Sequence, residues 1–162
     1  QDLNNFGGFG QQGYGYNIKG LYKEISTILG LDREYKMVIV GTGNLGQALA
    51  NYTKYYKLGF PIIGMFDVNP KIIGLRINDI EVMDSENLLD FLNSNHVDIG
   101  IITTDKAAAQ SVANKLVEGG VRGIWNFAPC DLKVPKNVPV ENVHVTDTLN
   151  SLVYHIIHAE DD

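Results

Sequence analysis

The 162 residues are read as one α/β domain built on a doubly wound, mostly parallel sheet, a length that suits one domain and not two. Three features lead to that expectation. Short, nearly continuous apolar runs alternate with helix-forming segments, the pattern of parallel strands covered on both faces. One such run leads straight into Gly41-Thr42-Gly43-Asn44-Leu45-Gly46, a G-x-G-x-x-G turn between a strand and a helix. The glycines are unevenly spread: six of 17 fall in the first 20 residues, so the front is a different kind of chain from the body.

From Gln1 to Asn17 the aromatics Phe6, Phe9, Tyr14 and Tyr16 stand between glycines, with Gln11-Gln12-Gly13 as a turn candidate. Two short extended arms around a tight turn and a flexible low-complexity arm are both open readings. Ile18, Leu21, Tyr22, Ile25, Ile28 and Leu29 recur at helical spacing and Gly30 supplies the stop, which predicts an amphipathic helix able to dock front to body. Strand and helix then alternate. Strands are expected at Lys36 to Val40, Phe60 to Asp67, Val97 to Thr103, Gly123 to Phe127 and, last, Val143 to Val145. Leu75 to Val82 reads as a hairpin turning at Asn78-Asp79. Helices are expected at Asn44 to Lys57, at Ser85 to Asn93 behind an Asp84 N-cap, and at Ala107 to Glu118 before Gly119-Gly120. Asp147 to His158 aligns Leu149, Leu152, Val153, Ile156 and Ile157 on one stripe, which fits either a cover for the sheet or packing on another subunit.

Thirteen Lys+Arg against 19 Asp+Glu give a net charge of −6, which disfavours unspecific binding to nucleic acid or an anionic membrane by this chain. The single Cys130 rules out an internal disulfide and suits a reducing cytoplasm. There is no charged-then-apolar leader and no apolar run of ~20 residues, so no secreted or membrane-spanning segment is expected. A start at Gln1 in place of Met suggests a fragment.

The glycine turn carries the chemistry. Lys36 to Val40 runs directly into it and Gln47 to Tyr52 is helix-forming, so Gly41 makes the tight turn, Gly43 lets a pyrophosphate approach the backbone, and Gly46 lets helix pack on strand. The helix start supplies free N–H groups and a favourable dipole for that pyrophosphate. Asp67 ends the next strand 21 residues after Gly46, where a carboxylate accepts ribose hydroxyls and repels a 2′-phosphate, favouring NAD(H) over NADP(H). Catalytic machinery is not evident: His96, His144, His155 and His158 form no triad or metal motif, His96 reads as a surface loop residue, and Cys130 as a packed thiol. The sequence therefore offers a nucleotide site without visible catalytic machinery, and an NAD-dependent oxidoreductase fragment and a CoA-binding domain of the acyl-CoA ligase kind stay open as alternatives to the non-enzymatic reading that the resemblance below implies.

Several segments together resemble the bacterial redox-sensing repressor family Rex. They are Asp2-Leu3, Phe6-Gly7 through Gly15-Tyr16-Asn17, Val40 through Gly46 to Asn51-Tyr52, Phe66-Asp67-Val68-Asn69-Pro70 and Ala109-Gln110. The specific run Gly123-Ile124-Trp125-Asn126-Phe127-Ala128-Pro129 follows, then Val134-Pro135 and Glu141-Asn142-Val143. The resemblance implies a homodimer with an N-terminal winged helix that binds operator DNA and a C-terminal Rossmann domain that senses NADH against NAD+. NADH releases the DNA, and the last helix is exchanged between protomers. On that basis residues 1–17 look like a remnant of the winged-helix domain, 18–30 a linker helix, 31–146 the NAD(H)-binding domain and 147–162 the dimerisation helix. The DNA-reading helices would precede this chain, so operator DNA is expected as a partner of the full-length protein only.

The cofactor-binding set expected for NADH and NAD+ is Gly41, Thr42, Gly43, Asn44, Leu45, Gly46, Asp67, Thr103, Thr104, Asn126, Phe127 and Pro129. No metal site is expected. Two departures from the family pattern stand out. Family wings usually carry basic residues where this chain has Gln11-Gln12. An Asp usually follows the Asn-Val pair, able to pair with a helix Tyr in the NAD+ state; here Tyr52 matches that Tyr and His144 replaces the Asp, implying an altered latch. An apolar nicotinamide pocket free of carboxylates is expected to favour neutral NADH over cationic NAD+.

Overall fold

The computed structural model describes residues 20, 21, 23–25, 34–56 and 59–160. The chain divides into two compact units, Gln1–Glu34 and Tyr35–Asp162. In the first, residues 20, 21 and 23–25 are helical, inside the helix expected over 18–30. The wing expected over 1–17 lies outside the described residues.

The second unit has seven strands: β1 (Met37–Val40), β2 (Ile62–Asp67), β3 (Arg76–Ile77), β4 (Ile80–Asp84), β5 (Ile99–Ile102), β6 (Gly123–Asn126) and β7 (Val140–Asn142). Its helices are α1 (Asn44–Tyr56), α2 (Leu88–Ser94), α3 (Lys106–Glu118) and α4 (Val145–Glu160). The sheet order is β3-β4-β2-β1-β5-β6-β7, parallel throughout except for the β3–β4 pair. Leaving out β3, the parallel strands lie in the order 3-2-1-4-5-6 of their appearance, the doubly wound dinucleotide-binding arrangement.

The period of two along each strand divides the core. Val38, Val40, Phe66 and Ile102 face Leu88 and Leu92 of α2 and Ala109, Val112, Ala113 and Leu116 of α3. Met37, Ile39, Met65 and Ile101 face the other way, against Leu49 and Ala50 of α1. The β3–β4 hairpin turns at Asn78 and Asp79 with φ of 54° and 67°, the left-handed pair that a two-residue hairpin turn demands. Asp105 caps α3 by accepting from Ala108 N at 3.0 Å.

At the amino edge of the sheet the buried Asp98 ties three strands together. Its carboxylate accepts from Lys36 N (3.0 Å) and pairs with His96 Nε2 (2.8 Å) and Arg122 (3.6 Å), while its backbone oxygen accepts from Arg122 N at 2.7 Å. Burial raises the Asp98 pKa, but the Lys36 amide, the His96 hydrogen bond and the two neighbouring cations together hold it below the ordinary carboxylate value. His96 is thus an exposed ring bonded to a buried acid, where the sequence reading had only a loop residue.

Three further expectations are corrected. The final strand is Val140–Asn142, not Val143 to Val145, because Val140 pairs with Ile124, whose N donates to Pro139 O at 3.0 Å, and Val143 N closes the ladder on Asn126 O at 2.9 Å. Val145 already begins α4, two residues ahead of the expected start. The helix expected over Ser85 to Asn93 is a 3₁₀ turn, Ser85–Asn87, capped by Asp84 as anticipated, followed by α2.

Candidate functional site

Because β2, β1, β5, β6 and β7 are parallel, their carboxyl ends share one edge. Along it stand in order Asp67, the Gly41–Gly46 loop, Thr103-Thr104, Phe127–Pro129 and Val143-His144. The crossover direction reverses between β1 and β5, and ligands of open α/β sheets bind in the crevice at that point.

The loop is built as its glycines require. Gly41 has φ of 103°, and a Cβ there would lie 2.8 Å from the Thr103 carbonyl carbon. At Gly46 a Cβ would strike the Gly41 carbonyl oxygen and stand 3.3 Å from Ile39 Cγ2, so α1 packs on β1 only with glycine there. Gly43 faces open space, and Gly43, Asn44 and Leu45 are exposed at the mouth of the loop. The first helical bond of α1 runs from Gln47 N to Gly43 O at 3.0 Å, leaving the preceding amides without intrahelical acceptors. Half-buried Thr103 Oγ1 donates to Gly41 O and so clamps the loop to β5.

Asp67 is fixed from two sides. Its Oδ2 accepts from Thr42 N at 2.6 Å, and its Oδ1 accepts from Val68 N at 2.7 Å and Asn69 N at 2.8 Å. Of about four acceptor positions on a carboxylate, three are filled. One remains for a ribose hydroxyl, and a second hydroxyl must displace an amide. Thr42 Oγ1 donates to Phe66 O at 3.1 Å and Gln47 Nε2 to Thr42 O at 3.2 Å, joining the ends of β1 and β2 and the first turn of α1.

Beyond β6 the chain makes a second concavity of about 490 Å³, lined by Phe127, Pro129, Cys130, Asp131, Val143, His144, Thr146 and Asp147. It brings together three predicted residues, Phe127, Pro129 and His144. It adds Asp131, Thr146 and Asp147, which no motif signalled, so a carboxylate-free pocket is not what the chain builds here. Asn126 is fully buried beneath it. Its Nδ2 donates to Cys130 O (3.0 Å) and Asn142 Oδ1 (2.9 Å), and its Oδ1 accepts from Ala128 N (3.0 Å), so this side chain staples the turn that presents Phe127 and Pro129. Thr104 donates to Asp105 O at 3.1 Å ahead of α3.

Tyr52 stands elsewhere. It lines an apolar cleft of about 420 Å³ on the α1 face of the sheet, with Leu49, Phe60, Ile99 and Trp125, so one chain does not bring Tyr52 and His144 into one cavity. Among the described residues, no group of three or more His, Cys, Asp or Glu side chains is arranged to hold a metal.

Residues 32–130 match the family model described as CoA binding domain, and the segment belongs to that family. A redox-sensing transcriptional repressor Rex of Clostridium botulinum is 58% identical over 156 residues, covering 96% of this chain and 74% of the relative. The chain belongs to the Rex family. Rex of Clostridium perfringens is 56% identical over 160 residues, 99% of this chain and 76% of its own length. The crystal structure of RSP, a Rex-family repressor, in complex with β-NAD+ and operator DNA superposes with a TM-score of 0.84 at 54% identity, covering 99% of this chain and 74% of that one; RSP in complex with β-NADH gives 0.84 at 50%. The Rex relatives, which match nearly the whole chain, are named as transcriptional repressors, so neither the oxidoreductase fragment nor a CoA module of the acyl-CoA ligase kind is favoured. The mostly parallel Rossmann sheet is that of the Rex structures. No described Rex helix here is long and apolar enough to cross a membrane.

Proposed function

We propose that this chain is the NADH/NAD+-sensing part of a dimeric repressor, in which NADH binding changes the dimer geometry and releases operator DNA. The observation that carries the reading is the Asp67 carboxylate held 2.6 Å from Thr42 N beside the open Gly43, at the crossover between β1 and β5. The adenosine ribose lies at Asp67 and the pyrophosphate over Gly43, Asn44 and Leu45. Thr103 and Thr104 border the crossover, and the nicotinamide reaches the cleft of Phe127, Pro129 and His144. From β2 to β6 is three strand spacings, about 14 Å, a span that an extended dinucleotide covers. Asn126 acts by holding the Phe127–Pro129 turn. The residues fit the cofactor: the open space at Gly43 and the free amides at the start of α1 for the diphosphate, and an acid for the ribose.

NADH is neutral at the nicotinamide and NAD+ cationic, so the apolar wall of Phe127, Pro129 and Val143 favours NADH while Asp131 and Asp147 temper that preference. A ~100-fold preference corresponds to about 2.7 kcal/mol, enough to bias a two-state dimer.

Dimerisation is assigned to α4. Every described side chain from Thr146 to Ala159 is exposed, including Leu149, Leu152, Val153, Ile156 and Ile157, each about half accessible. A lone helix of this length is marginal in water and needs a partner for its apolar stripe. The cleft of Leu49, Tyr52, Phe60, Ile99 and Trp125 is an apolar receptor of matching character for the α4 of a second copy. Tyr52 and His144 remain latch candidates between protomers. Operator DNA is assigned to the full-length protein through residues 1–17 and the helices expected before them. The linker at 18–30, the sensing domain at 31–146 and the helix from 147 complete the division. A cytoplasmic location agrees with the lone cysteine.

Calorimetric titration with NADH and with NAD+, alongside the mass in solution, tests this. Both bind, NADH more tightly, to a dimer; equal affinities remove sensing, and a monomer removes the assignment of α4.

A further inference from the structure

The two ends of the proposed dinucleotide site are walled by different parts of the fold. The adenosine diphosphate end rests on β1, β2 and the first turn of α1, which also packs on β1 through Gly46. None of the loop residues Gly41–Gly46, nor Asp67, lines the Phe127–His144 cleft. That cleft instead has Thr146 and Asp147 in its wall, and both belong to the first turn of α4, where Asp147 N donates to His144 O at 3.1 Å. The helix whose apolar stripe is bare is therefore touched at one end only by what fills the cleft.

A ligand shifts a two-state protein only by its difference in affinity for the two states, and one that binds both equally shifts nothing however tightly it binds. Affinity and signal are thus separable along this site. We propose that 5′-adenosine diphosphates without a nicotinamide bind the Gly41–Asp67 end, compete with NADH, and leave the dimer in its ligand-free geometry. The ligand class is ADP and its close analogues with an unsubstituted ribose. The one open acceptor position of Asp67, on Oδ2, meets the ribose edge, and the negative carboxylate repels a 2′-phosphate. This inference rests on the dinucleotide reading above and adds to it that the adenylate charge of the cell competes with its redox state for the same chain.

The test uses the full chain and four probes: NADH, NAD+, ADP and adenosine 2′,5′-bisphosphate. In calorimetry ADP binds, and the apparent NADH dissociation constant rises in proportion to ADP concentration, while the 2′,5′-bisphosphate has no such effect. In small-angle scattering NADH alters the dimer profile, saturating ADP leaves it as without ligand, and ADP added to the NADH complex restores the ligand-free profile. Phe127→Ala separates the ends: it weakens NADH ten-fold or more and leaves ADP binding within two-fold, which also shows that the variant is folded. ADP that reproduces the NADH profile overturns the proposal, and so does NADH binding that ADP leaves unchanged. Failure of NADH itself to bind overturns instead the dinucleotide reading on which the proposal stands.

Discussion

Replacing Asp67 by Asn tests the adenosine end with a calculable effect. The carboxylate accepts three backbone amides, Thr42 N at 2.6 Å through Oδ2 and Val68 N and Asn69 N at 2.7 and 2.8 Å through Oδ1. An Asn can accept at one end only. Turned one way, its NH2 faces the Thr42 amide; turned the other, it faces the Val68 and Asn69 pair. The part-buried Thr42 amide left without an acceptor costs about 1–3 kcal/mol, whereas the exposed Val68 and Asn69 amides turn to water, and in either case the surviving bonds lose their charge assistance. The ribose loses a bond to a charged acceptor, about 1.5–3 kcal/mol, so NADH and NAD+ affinities fall by roughly 10- to 150-fold. Both fall together, because Asp67 lies on β2 and the nicotinamide cleft beyond β6. At about 5 Å through water-like dielectric each pair of unit charges contributes ~0.8 kcal/mol, so relieving the repulsion of a nearly dianionic 2′-phosphate narrows discrimination against NADPH by about ten-fold. Calorimetry with NADH, NAD+ and NADPH reads all three. A change in the NADH to NAD+ ratio as large as the change in affinity refutes the placement of Asp67 at the adenosine ribose, and unchanged affinities refute a ribose contact altogether.

Gly46→Ala drives a methyl group into the Gly41 carbonyl and lifts α1 from β1, so melting shows a loss of about 1–3 kcal/mol and NADH binding falls with it. Asp98→Asn loses the charge that meets His96 and Arg122 and costs about 1–3 kcal/mol at neutral pH. The Asp98 pKa is depressed in the folded state, so its contribution is complete above the ordinary value of 3.8 and disappears as pH falls below it; urea midpoints of the variant and the parent converge there. Leu152→Asp with Ile156→Asp places two charges on the bare stripe of α4, and light scattering finds a monomer where the parent is a dimer. His144→Asp adds a carboxylate to the nicotinamide cleft and shifts the affinity ratio toward NAD+ by about three-fold, the worth of one unit charge at ~6 Å in an open site; a ratio that stays fixed puts His144 away from the ring.

What could be read from the residues alone follows the range of the interactions involved. The β1–turn–α1 unit and Asp67 were legible because a strand, a glycine turn and a helix start adjoin in the chain, and Gly41 and Gly46 there each answer a local clash while Gly43 leaves open space. The hairpin at Asn78-Asp79 was legible for the same reason. The last strand was misplaced because Val143-His144-Val145 alternates as a strand does, while the true register depends on Val140 meeting Ile124 sixteen residues earlier. His96 was underrated because its partner, Asp98, becomes significant only when β1, β5 and β6 are side by side. The cleft was legible only in part: Phe127, Pro129 and His144 were expected, while Asp131, Thr146 and Asp147 were not, since they converge on it from separate segments of the chain.

The stripe on α4 shows where pattern alone stops. Leu149, Leu152, Val153, Ile156 and Ile157 specify an apolar face, and a face reads the same whether it covers its own sheet or another's. Burial separates the two cases. The α1 side of the sheet keeps an open apolar cleft around Trp125, and every described α4 side chain stays exposed, so α4 does not cover its own sheet. A helix and a receptor that are each incomplete in one chain would complete each other in the dimer proposed above. Since the first turn of α4 also walls the cleft of Phe127 and His144, in the dimer proposed above a ligand filling that cleft in one protomer would act on the element that reaches the other, without any longer path through the core.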